Sequence, residues 1–176
     1  MQVRHGEAFE LDEQLTVLGR QLQAGEPAPD FTLDHFDGES MSTVRLRDTA
    51  GKVRLLNVIN SLDTPVCHVE TRKWENLRAD LPPDTVVYTI SMDLPYAQSR
   101  WQTSEGVSHS ALSAHKSEQF GLDYGVLLKE WRLLQRAVFV IDGDGYLTYV
   151  DYVPDQGREP DYNRAVAAAR EAAALT

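Results

Sequence analysis

The sequence predicts an α/β fold in which a mixed central sheet is flanked by helices and preceded by an N-terminal β-hairpin. Three observations carry that reading. The runs at 53–59 (VRLLNVI) and 85–90 (TVVYTI) are apolar and rich in β-branched residues, as strands buried on both faces are. Between them, residues from Thr64 onward repeat at helical spacing. Later, two more strand-like runs bracket Asp142-Gly143-Asp144-Gly145, and an Ala-rich stretch closes the chain. Strand, helix, strand, helix, hairpin, helix is the order of an α/β protein.

Each element has a local cause. Alternation at 7–11 and 15–18 around the polar turn Asp12-Glu13-Gln14 makes the leading hairpin. Gly25 to Pro29 is a cluster of chain breakers, and short strands at 31–33 and 43–46 flank the turn Asp37-Gly38. After the strand at 53–59, Thr64 suits a helix N-cap and Pro65 the first helical position, where its missing N–H costs nothing. Val66, Val69, Lys73, Trp74 and Leu77 follow at helical spacing until Leu81-Pro82-Pro83 stops the run. Short helices are expected at 95–101 and at 117–124, the latter ending at Gly125, and strands at 137–141 and 146–150. The closing helix covers 160–175. At roughly 150 residues per domain, residues 1–176 make one compact domain, with no internal repeat.

Charge narrows the function classes. With 17 Lys+Arg against 27 Asp+Glu, the net charge is −10, which argues against nucleic acid and anionic membrane as partners. No run approaches the roughly 18 apolar residues of a membrane helix. The first residues, MQVRHGEAFELDEQ, carry both signs of charge and no apolar core, so no secretory signal is read and the cytoplasm is the default. The single cysteine excludes an internal disulfide, a CxxC pair and a Cys-rich zinc site. His5, His35, His109 and His115 show no ligand spacing, and Asp142-Gly143-Asp144-Gly145 lacks the later ligands of a calcium loop, so no metal or other cofactor is expected.

Cys67 is the third residue of the helix capped by Thr64. In the first turn a side chain meets unpaired backbone N–H groups and the positive end of the helix dipole, both of which favour thiolate over thiol. Thr64 precedes it by three residues, close enough for its hydroxyl to approach the sulfur while capping the helix. The plain alternative is a cysteine that only packs. Adjacent His68 points about 100° away and reads as a surface or packing residue. Glu70 shares the Cys67 face and could pair with an arginine, but a solvated helix glutamate is the preferred reading. Trp74, Trp101 and Trp131 default to core or interface.

Four collinear segments then carry a resemblance that spans nearly the whole chain. Ser61-Leu62-Asp63-Thr64-Pro65-Val66-Cys67 resembles the active-site loop of the peroxiredoxins, with its Thr-x-x-Cys core. Asp93-Leu94-Pro95-Tyr96-Ala97-Gln98-Ser99-Arg100 is similar to the signature of their thiol peroxidase subgroup. Arg136-Ala137-Val138-Phe139-Val140-Ile141-Asp142 resembles the strand that opens with the family's arginine, and Glu159-Pro160-Asp161-Tyr162 the start of its last helix. The leading hairpin is also a feature of that subgroup. The resemblance implies a thioredoxin-like fold. It implies that Cys67 attacks the terminal oxygen of a hydroperoxide and becomes a sulfenic acid. Thr64 would hydrogen-bond peroxide and thiolate, Arg136 would hold the thiolate by charge, and the chain would pair as a homodimer.

Two positions depart from the pattern. The family motif begins with proline seven residues before the cysteine, where this chain has Asn60. The subgroup's resolving cysteine follows the Ala-Gln-Ser-Arg segment by two residues, where this chain has Trp101-Gln102. With no second thiol, the sulfenic acid needs an external thiol, a partner protein or another subunit's Cys67, and without rescue it climbs to sulfinic acid. Two readings of this stay open: a one-cysteine member of the group, or a chain in which Gln102 replaces a cysteine. The expected function is thiol-dependent reduction of hydrogen peroxide or small alkyl hydroperoxides. The rival is a peroxide sensor or interaction protein on the same fold, with poor turnover.

Overall fold

In the computed structural model, which describes residues 1–175, the chain opens with the antiparallel pair β1 (Val3–Glu10) and β2 (Glu13–Leu18). A second antiparallel pair follows, β3 (Thr32–Phe36) and β4 (Met41–Arg45). Then come two consecutive strand–helix–strand units: β5 (Arg54–Val58), α1 (Pro65–Leu77), β6 (Val86–Ser91), α2 (Pro95–Glu105) and β7 (Ser110–Ser113). Past α3 (Gln119–Asp123) lie the two-residue strands β8 (Leu127–Leu128) and β9 (Leu133–Leu134). The hairpin β10 (Ala137–Ile141) and β11 (Leu147–Tyr152) leads to α4 (Tyr162–Ala174).

Seven strands form one mixed sheet, ordered β11-β10-β5-β6-β7-β3-β4. Its centre, β5-β6-β7, is parallel, and the flanking pairs are antiparallel. Every residue of β5 and of β10 is buried, as expected for strands covered on both faces. Alternation sorts their side chains. Leu55, Val138 and Val140 meet Trp74 of α1 and Ala165 and Ala169 of α4, while Leu56, Val58, Phe139 and Ile141 meet Phe31, Phe120 and Tyr124 on the other side.

The leading hairpin joins β8 and β9 in a separate four-stranded sheet. Buried Arg4 fastens it, donating to the carbonyls of Gly19 (2.6 Å) and Gly125 (3.1 Å). Glycine is required there. A Cβ on Gly125, whose φ is +65°, would stand 2.2 Å from the Arg20 carbonyl oxygen.

The structure departs from the sequence reading in particular places. The hairpin turn is tighter than expected, because Leu11, counted as strand, sits in the turn at φ 51° and is exposed. Helix α1 lies where its cap and proline place it, but it buries a different face. Of the residues at helical spacing only Trp74 is fully buried, beside Cys67, Glu70 and Thr71, whereas Val69 is half-exposed. The inner face is polar because its groups find partners inside, Glu70 in Arg136 and Thr71 in Asn57 and the Cys67 carbonyl. Strand β7 and the short β8 and β9 were not expected at all. No helix among the described residues is long and apolar enough to cross a membrane.

Candidate active site

The site forms where β5 ends. Ile59 still donates to the Ile90 carbonyl (3.0 Å), after which residues 60–64 leave the sheet and turn into α1. Carboxyl ends of parallel strands are where such sheets place ligand chemistry. Asp93, beyond the end of β6, ties the loop down: it accepts from the Ser61 hydroxyl (2.7 Å), the Leu62 N–H (2.9 Å) and the Ser91 hydroxyl (2.7 Å). Thr64 has the extended backbone of an N-cap, and Pro65 is the first helical residue. The Thr64 hydroxyl does not cap the helix as expected. It donates to the Ser61 carbonyl instead (2.8 Å), because the backbone turn between these residues offers that acceptor at closer range.

Cys67 lies in the first turn of α1, fully buried among Ile59, Leu62 and Trp101. Its thiol points to Asn60 Oδ1 at 3.8 Å. Outside this wall is a surface cleft of about 300 Å³ lined by Leu62, Thr64, His68, Trp101 and Glu105 among others. Leu62 and Trp101 therefore separate the sulfur from solvent. Trp101 is held by donating from Nε1 to His68 Nδ1 (3.1 Å), which makes His68 a packing residue. Another cavity, about 620 Å³ around Phe31 and Phe120, shares no lining residue with this site.

Arg136, from a segment distant in sequence, enters just before β10 and is also buried. Its guanidinium donates to Glu70 Oε2 through Nη1, and through Nη2 to the Gln156 carbonyl (2.7 Å) and Asn60 Oδ1 (3.3 Å). Burial alone would lower its proton affinity, but attraction to Glu70 and then to Cys67 outweighs this and holds Arg136 above the ordinary arginine value. The fold thus brings Cys67 and Arg136 together, with Asn60 Oδ1 touching both.

Glu70 corrects the sequence reading. It is completely buried, not solvated, because the Arg136 guanidinium reaches it across the sheet end. Burial pushes its carboxyl up to about 8, against the opposing pull of Arg136. One positive charge faces two acids here, and the glutamate, with Oε1 unpartnered among the described residues, is the disfavoured anion. Attraction links the guanidinium to both Glu70 and Cys67, Glu70 first.

Two further residues escaped sequence reading. Gln156 bridges the site, accepting from the Arg136 N–H (2.8 Å) and from Asn60 Nδ2 (3.1 Å). It lies in an irregular loop that carries no periodic signal. Asp93 stood inside a recognised segment, yet nothing in spacing disclosed its clamp on Ser61 and Leu62. Gln102, at the place of the expected resolving cysteine, caps backbone by donating to the His109 carbonyl.

Comparison with known proteins follows the same line. The family model described as Redoxin matches residues 23–166. A thiol peroxidase of Streptococcus sanguinis is 44% identical over 161 residues, covering 91% of this chain and 96% of that protein. One from Halalkalibacterium halodurans is 44% identical over 159 residues, covering 90% and 93%. Among solved structures, a peroxiredoxin-like protein from Aquifex aeolicus superposes with a TM-score of 0.83 at 30% identity, covering 96% of this chain and 98% of its own. A thiol peroxidase from Chromobacterium violaceum reaches 0.81 at 21% identity, covering 93% and 95%, a likeness of fold.

Proposed function

This chain belongs to the Redoxin family, among its thiol peroxidases, and from that premise we propose that it reduces hydrogen peroxide or small alkyl hydroperoxides through Cys67. One observation carries the residue assignment: the only sulfur in the chain that can cycle between thiolate and sulfenic acid lies at a helix N-terminus beside a buried guanidinium. Backbone donors and the Arg136 charge both favour an anion at that point, and a thiolate is the nucleophilic form.

The reaction balances as follows. The Cys67 thiolate attacks the terminal oxygen of ROOH, an S–O bond forms, the O–O bond breaks, and RO⁻ leaves as ROH with a proton from water. An external thiol then displaces water from the sulfenic acid to give a mixed disulfide. A second thiol releases Cys67 and carries away the disulfide. Arg136 holds the thiolate and the developing charge on the peroxide oxygens. Thr64 assists after its hydroxyl turns from Ser61 toward the bound peroxide. Peroxide enters past Leu62 and Trp101. The proposal extends to a homodimer, as the resemblance implies, acting in the cytoplasm, where a lone thiol stays reduced, with a thioredoxin-like protein or small thiol as the external reductant that a chain with one cysteine needs.

The test is peroxide consumption under a regenerating thiol. Native protein turns over repeatedly, and Cys67→Ser loses all of this activity. A single stoichiometric oxidation with no turnover under thioredoxin, glutathione or dithiothreitol favours the sensor instead. Retained turnover in Cys67→Ser removes the assignment altogether.

A further inference from the structure

Among the described residues the thiol of Cys67 meets one oxygen, and the direction of that oxygen is dictated by the groups behind it. Gln156 is buried, and its Nε2 donates to the carbonyls of Val153 (2.8 Å) and Pro154 (3.0 Å) while its Oε1 accepts from the Arg136 N–H (2.8 Å). Three backbone groups of fixed polarity therefore orient this amide. Gln156 Oε1 in turn lies 3.1 Å from Asn60 Nδ2, and the Leu134 carbonyl lies 2.6 Å from the same nitrogen. Two acceptors on one side require the amide NH₂ there. The Asn60 carbonyl oxygen has one remaining direction, toward Cys67 Sγ (3.8 Å) and Arg136 Nη2 (3.3 Å).

We infer that Asn60 is a positioning residue that tunes how readily Cys67 gives up its proton: its Oδ1 accepts the S–H bond and favours the thiol, in opposition to Arg136, which favours the thiolate. An amide oxygen has no proton to offer. When the thiol proton is lost to water, the contact turns from attraction into lone-pair repulsion. The guanidinium does the reverse, since its attraction grows when the sulfur becomes an anion. The sulfur thus sits between one partner for each of its two states. Other titratable groups around it act indirectly. Glu70, one turn along α1, bonds Arg136; Asp151 of β11 and Glu159 ahead of α4 act on Glu70; His68 is turned to Trp101 and Glu105 of α2. The inference deepens the peroxidase reading, because a thiol-holding residue raises the pH at which attack on peroxide becomes fast.

Two measurements test it without relying on peroxide chemistry. Cys67 is the only cysteine, so its S–H stretch is the only such infrared band in the protein. A band lowered in frequency, as for a hydrogen-bonded thiol, and fading as pH rises is expected; a free-thiol frequency overturns the inference. The second is the rate of alkylation by iodoacetamide from about pH 5 to about pH 9. In Asn60→Ala, and in Asn60→Ser should the first not fold, the midpoint falls and the rate near about pH 6 rises roughly three-fold. Easier access alone would multiply the rate at every pH and leave the midpoint in place. An unmoved midpoint assigns Asn60 to packing, and a raised one to tethering Arg136; either refutes the proposal. Peroxide consumption measured beside it separates the two claims, since an inert native protein removes the enzyme while leaving the midpoint shift intact.

Discussion

Arg136 brings one positive charge to a dry site that holds two acids, and the outcome is decided by which of them keeps its proton. Burial raises the Glu70 carboxyl to about 8. A carboxyl raised above its unfolded value near 4.5 retains a proton that the unfolded chain releases, so its contribution is complete below that value and disappears as pH climbs through about 8. Glu70→Gln removes this dependence. Relative to native protein, the variant should gain about 2 kcal/mol between pH 5 and pH 8, half the uncoupled limit, because Arg136 shares the titration. Urea unfolding at the two pH values checks it. A gap that widens instead would mean that Glu70 is ionised in the folded protein across this range. Such competition explains what was and was not legible at this scale. Thr64, Pro65 and Cys67 announce a helix start through local chemistry, and local chemistry placed them correctly. Glu70 reads as a surface residue until Arg136 arrives from the far side of the chain. Gln156 is invisible beforehand because its role exists only once three backbone groups converge on it.

Helix α1 connects this site to the middle of the sheet through an ordered line of polar groups. Thr71 Oγ1 donates to the Cys67 carbonyl (2.8 Å), and Asn57 Nδ2 donates to Thr89 Oγ1 (3.0 Å) and more weakly to Thr71 Oγ1 (3.4 Å). Thr89 Oγ1 meets His109 Nε2 (2.7 Å), and His109 Nδ1 meets Glu75 Oε1 (2.8 Å). Burial lowers His109 and keeps it neutral, so Nδ1 carries the proton toward Glu75 and Nε2 accepts from Thr89. Burial would raise Glu75, but hydrogen bonds from Ser108 and His109 prevail and hold it down to about 2. The sign is opposite to that of Glu70. Stability from Glu75 is present above its unfolded value near 4.5 and is lost as pH falls toward about 2. Glu75→Gln should therefore cost about 1 kcal/mol at neutral pH, and the cost should shrink as acid is added. Thermal melting at pH 7 and pH 3 reads the difference, and a cost that is equal or larger in acid would contradict it. At this scale, β5, β6, β10 and α4 were legible because each has a long pattern of its own. Strand β7 was not. Ser110-Ala111-Leu112-Ser113 is too short and too polar to signal a strand, and its pairing with β6 and β3 makes it one. The inner face of α1 was misread for a related reason, since Glu70 and Thr71 are buried by partners that lie on other elements.

A chain with one thiol, sealed from solvent, limits how the molecule completes a redox cycle. Cys67 is 0% exposed and sits beneath Leu62 and Trp101 inside a helical turn. A disulfide needs the two Cα atoms within roughly 4.4–6.8 Å, so joining two folded copies through Cys67 would demand that both unwind the start of α1. A peroxide, or a small thiol that follows it, needs only a side-chain displacement at the cleft wall. Intersubunit pairing is therefore disfavoured relative to capture by a small or slender thiol. Equimolar peroxide should convert the protein to a species heavier by one oxygen, trapped by dimedone and migrating as a single chain without reductant. Excess peroxide without thiol should drive it to the sulfinic acid, because no internal thiol intercepts the sulfenic form. Trp101→Ala should speed both steps by opening the wall, with the single-chain product unchanged. If disulfide-linked pairs of chains form as the main product, then α1 opens far enough for two sulfurs to meet, and the sealed pocket is not the state in which the sulfur reacts.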